Sequence, residues 1–322
     1  MPAAEVVPSR PMNGGGAGSG AIARLLVGLL APIVLLLSVA EHASAQTLTH
    51  IRDTGVLRVG YRQDAQPFSY QDGGAAKGYS VVLCQKIADA AKEKLQLPEL
   101  RTDLVPVTSE EDGLDALRQG KVDLHCGATI ATLSRRGSVA FSIPTFSSGM
   151  SALLRKDAPG RMRVILEGRP EPEQPRWRAS LALIFQKRIF AVRAGGPEEK
   201  WLGQALKRFN IVADIVPVPD YDAGVASVAE RRADVLFGDR TLLLGAAARS
   251  PLADDLTVID RRFTNEALAL ALARGDEDFR LLVDRTLSGL YGSGEIAELY
   301  KSFFGEPDED ALSFFRMNAL PE

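Results

Sequence analysis

An arginine close to a helix start is the first residue whose type and position indicate binding chemistry. Thr132 is a good helix N-cap, and it places Arg135 in the first turn of the helix that follows. A cation there is unfavourable with the helix dipole, and this local cost favours a functional role. Arg135 with nearby backbone N–H groups could clamp a carboxylate. The alternative, a surface arginine paired with a nearby acid, stays open.

An aspartate in the second half of the chain is the complementary candidate. Asp239 follows the strand expected over Ala233–Phe237. Ligands of open α/β sheets bind outside the carboxyl ends of the strands, where this carboxylate could hold an ammonium group. The alternative is an aspartate that only forms a turn beside Gly238.

Patterns for catalysis, metal binding and phosphate binding are missing from the sequence. It has no Gly-x-Ser-x-Gly elbow, zinc signature or phosphate loop. Among the histidines His42, His50 and His125, only the last two survive the predicted cleavage, so a histidine centre would need one of them alone. Acid pairs such as Glu110-Glu111 and Asp254-Asp255 are expected to be solvated. We expect no catalytic residue, no metal and no cofactor.

The N-terminal segment, residues 1–45, is predicted to be a signal peptide. Positive charges precede the apolar run Leu25–Ala40, and Ala43-Ser44-Ala45 is a small-x-small cleavage site. The alternative is an uncleaved membrane anchor. However, the run is shorter than the roughly 20 residues that span a bilayer, and Pro32 interrupts it. A mature chain that starts near Gln46 and resides in the periplasm is therefore expected.

Length, charge and cysteine content set the class of protein. The chain has 322 residues, enough for two domains, and a formal net charge of -3 that gives no reason to expect nucleic acid as a partner. Export implies an oxidising compartment, in which Cys84 and Cys126 form either one disulfide or two buried thiols. No cluster of histidine or cysteine accompanies them, so their spacing does not indicate a metal site.

The first half of the mature chain alternates strands and helices. The helix after Gly78 starts at Tyr79 with Ser80 as a possible cap, and Pro98 ends it. Gly120 caps the next helix. The predicted order is strand Val56–Tyr61, the helix from Tyr79, strand Thr102–Val107, helix Glu110–Gln119 and strand Lys121–Leu124. This order predicts an α/β unit with a mainly parallel sheet.

The second half repeats this order. Its predicted elements are strand Arg188–Arg193, helix Glu198–Phe209, strand Ile211–Val216, helix Tyr221–Arg231 and strand Ala233–Phe237. Asp123 and Gly127 of the first half match Asp234 and Gly238 of the second, which favours two related lobes. An Arg-, Pro- and Glu-rich surface loop is expected over 156–187, and helices over Asp276–Phe304.

An ordered set of short motifs resembles the family 3 extracellular solute-binding proteins, the polar amino-acid receptors of ABC importers. The motifs include Gly55–Arg62, Pro67–Tyr70, Val105–Ser109, Gly120–Leu124 and Thr132–Arg135. The glutamate/aspartate-binding branch is the most similar. The resemblance is strong over 50–155 and weaker over 188–305.

The resemblance implies a type II periplasmic-binding-protein fold with two α/β lobes joined by two crossing strands, Met150–Arg155 and Glu266–Ala273. Lobe 1 would comprise 46–150 and 266–322, and lobe 2 would comprise 151–265. It also implies that Arg135 binds the α-carboxylate of the ligand and Asp239 its α-amino group. Arg62 and Ser109 would face the side-chain end of the ligand.

Several positions depart from the acidic-ligand branch. Ala128 and Ile130 stand where that branch has hydroxyl residues, although their backbone groups could still contribute. Asp112 stands in place of an arginine, Gly195-Gly196-Pro197 in place of a Gly-Thr pair, and Tyr221 near a histidine. Each lost partner of a buried charged group costs about 1–3 kcal/mol. We therefore expect a ligand that is less acidic, larger or more apolar than glutamate.

The expected function is that of a monomeric periplasmic receptor that closes around an amino-acid-like ligand and delivers it to an ABC permease in the inner membrane. A binding module for a sensor or another periplasmic partner fits the same residues. An enzyme on this scaffold, such as a dehydratase, would need an acid or histidine in the cleft, and Asp112 is the only unusual acid that the sequence offers.

Overall fold

The computed structural model describes residues 47–169 and 184–321. Its strands are β1 Val56–Arg62, β2 Asp64–Ala65, β3 Ser69–Asp72, β4 Ala75–Lys77, β5 Arg101–Val107, β6 Leu124–Cys126, β7 Val139–Phe141, β8 Phe146–Ser148, β9 Met150–Arg155, β10 Ile189–Arg193, β11 Asp214–Val218, β12 Val235–Asp239, β13 Leu256–Val258, β14 Glu266–Leu268 and β15 Ala271–Ala273. Its helices are α1 Thr47–Thr54, α2 Tyr79–Leu95, α3 Glu110–Arg118, α4 Leu133–Arg136, α5 Gly160–Glu167, α6 Pro197–Arg208, α7 Tyr221–Ala229, α8 Arg240–Arg249, α9 Glu277–Ser293, α10 Glu295–Phe304 and α11 Glu309–Asn318.

Two five-stranded sheets with the same strand pattern organise the fold. The first sheet has the order β5-β1-β6-β15-β7, and the second has the order β11-β10-β12-β9-β13. In each sheet three parallel strands are followed by antiparallel ones. We call the first sheet with α2, α3 and α9 the first lobe, and the second sheet with α6, α7 and α8 the second lobe. The fold is therefore the expected two-lobed α/β architecture.

A repeated aspartate shows how closely the two lobes correspond. Asp123 accepts a hydrogen bond from the backbone N–H of Arg58 at 2.8 Å and pairs with its guanidinium at 2.6 Å. Asp234 accepts from the backbone N–H of Ile189 at 2.8 Å and pairs with Arg188 at 2.9 Å. Asp123 therefore holds β1 beside β6, and Asp234 holds β10 beside β12.

A two-stranded antiparallel ribbon, β8 with β14, connects the sheets. The predicted strand Met150–Arg155 is present, but it lies inside the second sheet, so the crossing itself uses Phe146–Ser148. The predicted strand Glu266–Ala273 is divided into β14 and β15, and the latter belongs to the first sheet. The chain thus leaves and re-enters the first lobe through one short ribbon.

Apolar side chains fill the space between each sheet and its helices. In the first lobe Leu57, Val59 and Leu124 of the sheet are completely buried against Leu83 and Ile87 of α2. A separate cluster fills one face of the second sheet, and it includes Leu154, Phe190, Val192, Leu202 and Val235. These cores fix the ends of the strands in space.

Cys84 of α2 and Cys126 of β6 form a disulfide with a Cα–Cα distance of 6.4 Å. Of the two predicted states of the cysteines, the disulfide is therefore the one found. It ties a helix of the first lobe to the strand that leads into the candidate site.

Some element boundaries differ from those predicted. The cap of α2 is Gly78 and not Ser80, which lies inside the helix. The strand predicted at Lys121–Leu124 runs instead over Leu124–Cys126, because Asp123 is held at its start by Arg58. The predicted signal peptide lies outside the described residues, as does 170–183 of the predicted Pro-rich loop. The part of that loop before the gap was predicted wrongly, because α5 occupies Gly160–Glu167 and buries Met162 and Leu166. Within 47–169 and 184–321, no helix combines the length and apolar character needed to cross a bilayer.

Candidate functional site

The carboxyl ends of the parallel strands carry a cluster of charged side chains in each lobe. In the first lobe, Arg62 ends β1 and only 2% of it is exposed. Its guanidinium contacts Asp64 at 2.6 Å and Glu110 at 3.5 Å. The predicted binding residue Arg62 is thus at the strand end, but it is already engaged with two carboxylates.

Glu110, the first residue of α3, is at the centre of the first lobe's charged cluster. It is 4% exposed and accepts a hydrogen bond from the hydroxyl of Thr129. Burial acts to raise the pKa of Glu110, but neighbouring basic groups outweigh it and hold the pKa below its usual range. These groups are His125, Arg62 and Arg135. The expectation that Glu110 is solvated was therefore wrong, because α3 starts under the strand ends and turns this side chain inward.

His125 lies beside Glu110, in the middle of the central strand β6. The side chain is completely buried, and its Nε2 is 3.3 Å from Oε1 of Glu110 without hydrogen-bond geometry. A Cβ added at Gly113 or Gly127 would overlap the imidazole ring, so both positions leave room only for glycine. The sequence signal for this buried pair was a glycine shortly after each member, Gly113 after Glu110 and Gly127 after His125.

Arg135 occupies its predicted position in α4, whose N-cap is Thr132 as expected. Its side chain is 12% exposed and pairs with Oε1 of Glu111 at 2.8 Å. It also donates to the backbone carbonyl of Ile130 at 3.2 Å. Arg135 is thus paired with a partly exposed acid, as the simpler interpretation expects, and it also helps to lower the pKa of Glu110; its role as a carboxylate clamp stays a prediction.

Ser109 and Asp112 belong to the start of α3. Ser109 is the N-cap and accepts a hydrogen bond from the backbone N–H of Asp112 at 3.1 Å. Asp112 is exposed and receives a hydrogen bond from Thr108. The side chain of Ser109 is therefore engaged in capping. Asp112, the one unusual acid in the sequence, is a first-turn residue that faces solvent.

Ala128 and Ile130 form the segment that follows β6. Both are partly buried and pack against the core of the first lobe. Ile130 also makes an isolated antiparallel bridge with Leu268, next to the connecting ribbon. At Ile130 the polar group turned toward the charged cluster is the backbone carbonyl, which holds Arg135.

In the second lobe, Asp239 ends β12 and caps α8. It is 4% exposed, and its Oδ1 accepts from the backbone N–H groups of Thr241 and Leu242 at 2.9 and 3.1 Å. Its Oδ2 accepts from the hydroxyl of Ser148 on the connecting ribbon. Burial raises the pKa of Asp239 despite these donors. Asp239 therefore caps α8, which is close to the expectation of an aspartate that only forms a turn. It is also a buried carboxylate at the end of a strand.

Tyr221, the first residue of α7, connects Asp239 to a further acid. Its hydroxyl accepts from the backbone N–H of Asp239 at 3.2 Å and donates to Oε1 of Glu198 at 2.9 Å. A Cβ at Gly238 would overlap the Tyr221 ring. Burial raises the pKa of Tyr221 far above its usual value, so the hydroxyl remains a donor at neutral pH.

Gly195 and Gly196 form the turn before α6. The backbone N–H of Gly195 donates to Glu199 at 2.9 Å, and Gly196 is the N-cap. Glu198 of the first turn is 3% exposed and folds back against Gly196. The sequence did not single out Glu198, because an acid in the first turn of a helix is common for dipole reasons alone.

Charges from the two lobes meet at Arg193, the end of β10. It lies 3.6 Å from Glu198. Burial acts to lower the pKa of Arg193, but its neighbours raise it above the usual value. They are Tyr221 and Glu198 of its own lobe and Glu110 and Asp64 of the first lobe. The candidate site is therefore the group of charged side chains at the strand ends of the two lobes, around Arg193.

The family model for bacterial extracellular solute-binding proteins, family 3, matches residues 57–306. The chain belongs to this family. A glutamate/aspartate import solute-binding protein of Escherichia coli K12 is 27% identical over 269 residues, which are 83% of this chain and 82% of the relative. An L-glutamate/L-aspartate-binding protein of Pseudomonas aeruginosa is 28% identical over 263 residues, which are 81% of this chain and 80% of the relative.

One relative of this solute-binding protein is an enzyme. A cyclohexadienyl dehydratase of Pseudomonas aeruginosa is 27% identical over 269 residues, which are 82% of this chain and 88% of the relative. Membership of the family therefore does not by itself decide between binding and catalysis.

Solved structures agree on the fold. The ancestral amino acid-binding protein AncCDT-1, a precursor of cyclohexadienyl dehydratase, superimposes with a TM-score of 0.62 at 25% identity, over 81% of this chain and 100% of that one. A cysteine-binding protein from Campylobacter jejuni gives a TM-score of 0.64 at 20% identity, over 84% and 98% of the two chains.

Proposed function

We propose that this chain is the periplasmic substrate-binding protein of an amino-acid ABC importer. It holds a small amino-acid-like ligand in the cleft by closure of the lobes, acts as a monomer and delivers the ligand to an inner-membrane permease. The signal peptide 1–45 directs export. The lobes comprise 46–150 with 266–322, and 151–265.

The observation that carries this proposal is the meeting of buried charges from both lobes at the strand ends. Arg62 and Arg135 extend from the first lobe, and Asp239 with Tyr221 from the second. Opposite fixed charges on two walls are what a zwitterionic ligand requires, since charge-assisted hydrogen bonds are about twice as strong as neutral ones. Two relatives are named for binding glutamate and aspartate, which supports an amino acid as the ligand of this chain.

In this arrangement Arg135 receives the ligand carboxylate and Asp239 the ammonium group. Glu111 must then leave the guanidinium of Arg135, which costs little because its side chain is 55% exposed and regains water. The remainder of the binding site is lined by Arg62, Ser109, Tyr221, the backbone at Ala128 and Ile130, and the turn at 195–196.

A thermal-shift screen tests the proposal. The mature chain is refolded to remove any ligand acquired during expression, and is then heated with each α-amino acid. A ligand at 100 times its Kd stabilises the folded state by about 2.7 kcal/mol and raises the melting temperature. We expect the shift to disappear in Arg135→Ala and Asp239→Ala but to persist in Arg232→Ala, which removes an exposed side chain paired with Glu230 on the surface of the second lobe. If no amino acid or related small molecule raises the melting temperature of the folded chain, the proposal is wrong.

A dehydratase is the second candidate, because one relative has that activity and two acids, the buried Asp239 and the half-buried Glu266, have the property it needs. Burial raises the pKa of Asp239 and of Glu266, so either could carry the proton that a departing hydroxyl group takes up. Loss of water from a hydroxylated cyclohexadiene gives an aromatic ring, which absorbs in the ultraviolet. Turnover of cyclohexadienyl substrates that is lost in Glu266→Gln would establish the enzyme; no turnover would favour the binding protein.

A further inference from the structure

Three carboxylates of the cleft lie together on the wall of the second lobe and the connecting ribbon. Tyr221 links Glu198 to Asp239 through its hydroxyl group. Ser148 donates to Asp239 and lies directly opposite Glu266 in the β8–β14 pair. We call Glu198, Asp239 and Glu266 the acidic wall.

Among the residues that the structure describes, the acidic wall has little positive charge close to it. Glu198 is 3% exposed, and none of these residues gives its Oε2 a hydrogen bond. The buried Oε2 of Glu266 also has none. Arg193 supplies one guanidinium, 3.6 Å from the other oxygen of Glu198. Buried anions without a counter-charge are costly, so this wall is arranged to receive a cation from outside.

Two arginines and a helix start that would receive an anion are, by contrast, already engaged, whereas the buried Nε of Arg193 has no hydrogen-bond partner among the described residues. Arg62 pairs with Asp64 at 2.6 Å, and Arg135 pairs with Glu111 at 2.8 Å. At the start of α6, where a helix dipole favours an anion, the N–H of Gly195 donates to Glu199 at 2.9 Å. A ligand with more negative than positive charge would have to displace these carboxylates and would leave the acidic wall unpaired.

We propose that the cleft selects a ligand of net positive charge, a basic amino acid or a diamine, whose cationic nitrogen binds among the carboxylates of Glu198, Asp239 and Glu266. This inference rests on the proposed binding function. It names the charge class of the ligand and adds Glu198 and Glu266 to the residues that determine specificity.

Calorimetric titration with four matched compounds separates the possible ligand classes. L-lysine carries two ammonium groups and one carboxylate, and L-norleucine has the same chain without the side-chain ammonium. Cadaverine keeps both ammonium groups and lacks the carboxylate, and L-glutamate carries the opposite side-chain charge. We expect lysine or cadaverine to bind the refolded mature chain at least about tenfold more tightly than norleucine, and glutamate not to bind.

A variant pair locates the cation. Glu198→Gln preserves the shape of the side chain and is expected to weaken binding of the cationic ligand by about tenfold or more. Glu230→Gln removes an exposed carboxylate of the same lobe, paired only with Arg232, and should bind like the wild type. Melting curves of both variants verify that they are folded.

Tighter or equal binding of norleucine or glutamate overturns the inference and leaves the proposed binding function intact. If cations bind best but Glu198→Gln binds them like the wild type, the cation lies elsewhere and the assignment to the acidic wall is wrong. Failure of all four compounds, together with no response in the thermal-shift screen, contradicts the binding function and the inference alike.

Discussion

In the first lobe β6 leads through Gly127 to Ala128, whereas in the second lobe β12 leads through Gly238 to Asp239. The helices before these strands also correspond. In the first lobe α3 begins at Glu110 with Ser109 as its N-cap, and in the second lobe α7 begins at Tyr221 with Asp220 as its N-cap. The frame is the same, but the side chains at the cleft are not.

The consequence is a difference in how well the charges of each wall are paired without a ligand. In the first lobe Glu110 is surrounded by His125, Arg62 and Arg135, which hold its pKa low against the effect of burial. On the acidic wall, burial prevails and raises the pKa of Asp239 and Glu266. The buried carboxylate of the first lobe is thus neutralised by basic side chains of the protein, whereas the carboxylates of the acidic wall have fewer cationic neighbours.

Loss of the disulfide is expected to have the largest effect on the first lobe. Cys84 and Cys126 are 42 positions apart, and closing a loop of that length stabilises the fold by about 4 kcal/mol in the chain-entropy account. Cys84→Ala/Cys126→Ala should therefore melt well below the wild type in calorimetry. Reducing agent should lower the melting temperature of the wild type only. Equal melting of variant and wild type would contradict a formed disulfide.

Breaking the ionic network of the first lobe should have the next largest effect. Arg62→Met removes the guanidinium from Glu110 and Asp64 and is expected to cost about 3 kcal/mol, because a buried carboxylate loses its partner. Arg249→Met breaks the exposed pair with Asp222 in the second lobe and should cost less than about 1 kcal/mol. Urea denaturation measures both; similar losses would mean that the buried network contributes no more than a surface pair.

The two walls should also respond oppositely to acid. An acid with a raised folded pKa binds protons more readily when folded, so the ligand-free protein should gain stability through Asp239 and Glu266 as the pH falls through their raised folded pKa values. Glu110, whose pKa is depressed, contributes stability that is lost only at lower pH, as the pH falls through its folded pKa.

The double variant Asp239→Asn/Glu266→Gln isolates this effect. The gain in unfolding free energy on acidification should therefore shrink in the variant. Some gain will remain through Asp284, whose pKa burial also raises. If the wild type and the variant show the same pH profile of unfolding free energy, the acidic wall is not under electrostatic strain.

Much of the frame could be predicted from the sequence because it depends on local patterns. Alternating strands and helices, the repeat of Asp123 and Asp234, and the Thr132 cap each follow from residue type and spacing. Strand boundaries shifted where a tertiary contact intervened, as at Leu124–Cys126, whose start is fixed by the Arg58–Asp123 pair.

The pairing of charges in the site was less predictable. Arg135 and Asp239 were found from a helix cap and a strand end, Arg62 and Tyr221 from the resemblance, and all four lie at the strand ends of the two lobes. Glu198 and Glu266 were not singled out, because an acid in a first helical turn or on a short strand resembles a solvated residue until the fold buries it. Which arginine pairs with which acid depends on side-chain directions that sequence spacing does not give.

The most direct test of the difference between the walls replaces one carboxylate on each by its amide. Glu110→Gln in the first lobe and Glu266→Gln on the acidic wall are compared by urea denaturation of the ligand-free protein at pH 7. We predict that Glu110→Gln loses about 2–4 kcal/mol of unfolding free energy, because it leaves buried basic groups without their anion. Glu266→Gln should be neutral or slightly stabilising, since it removes a half-buried charge whose Oε2 has no hydrogen-bond partner among the described residues. Similar losses in both variants would contradict the account.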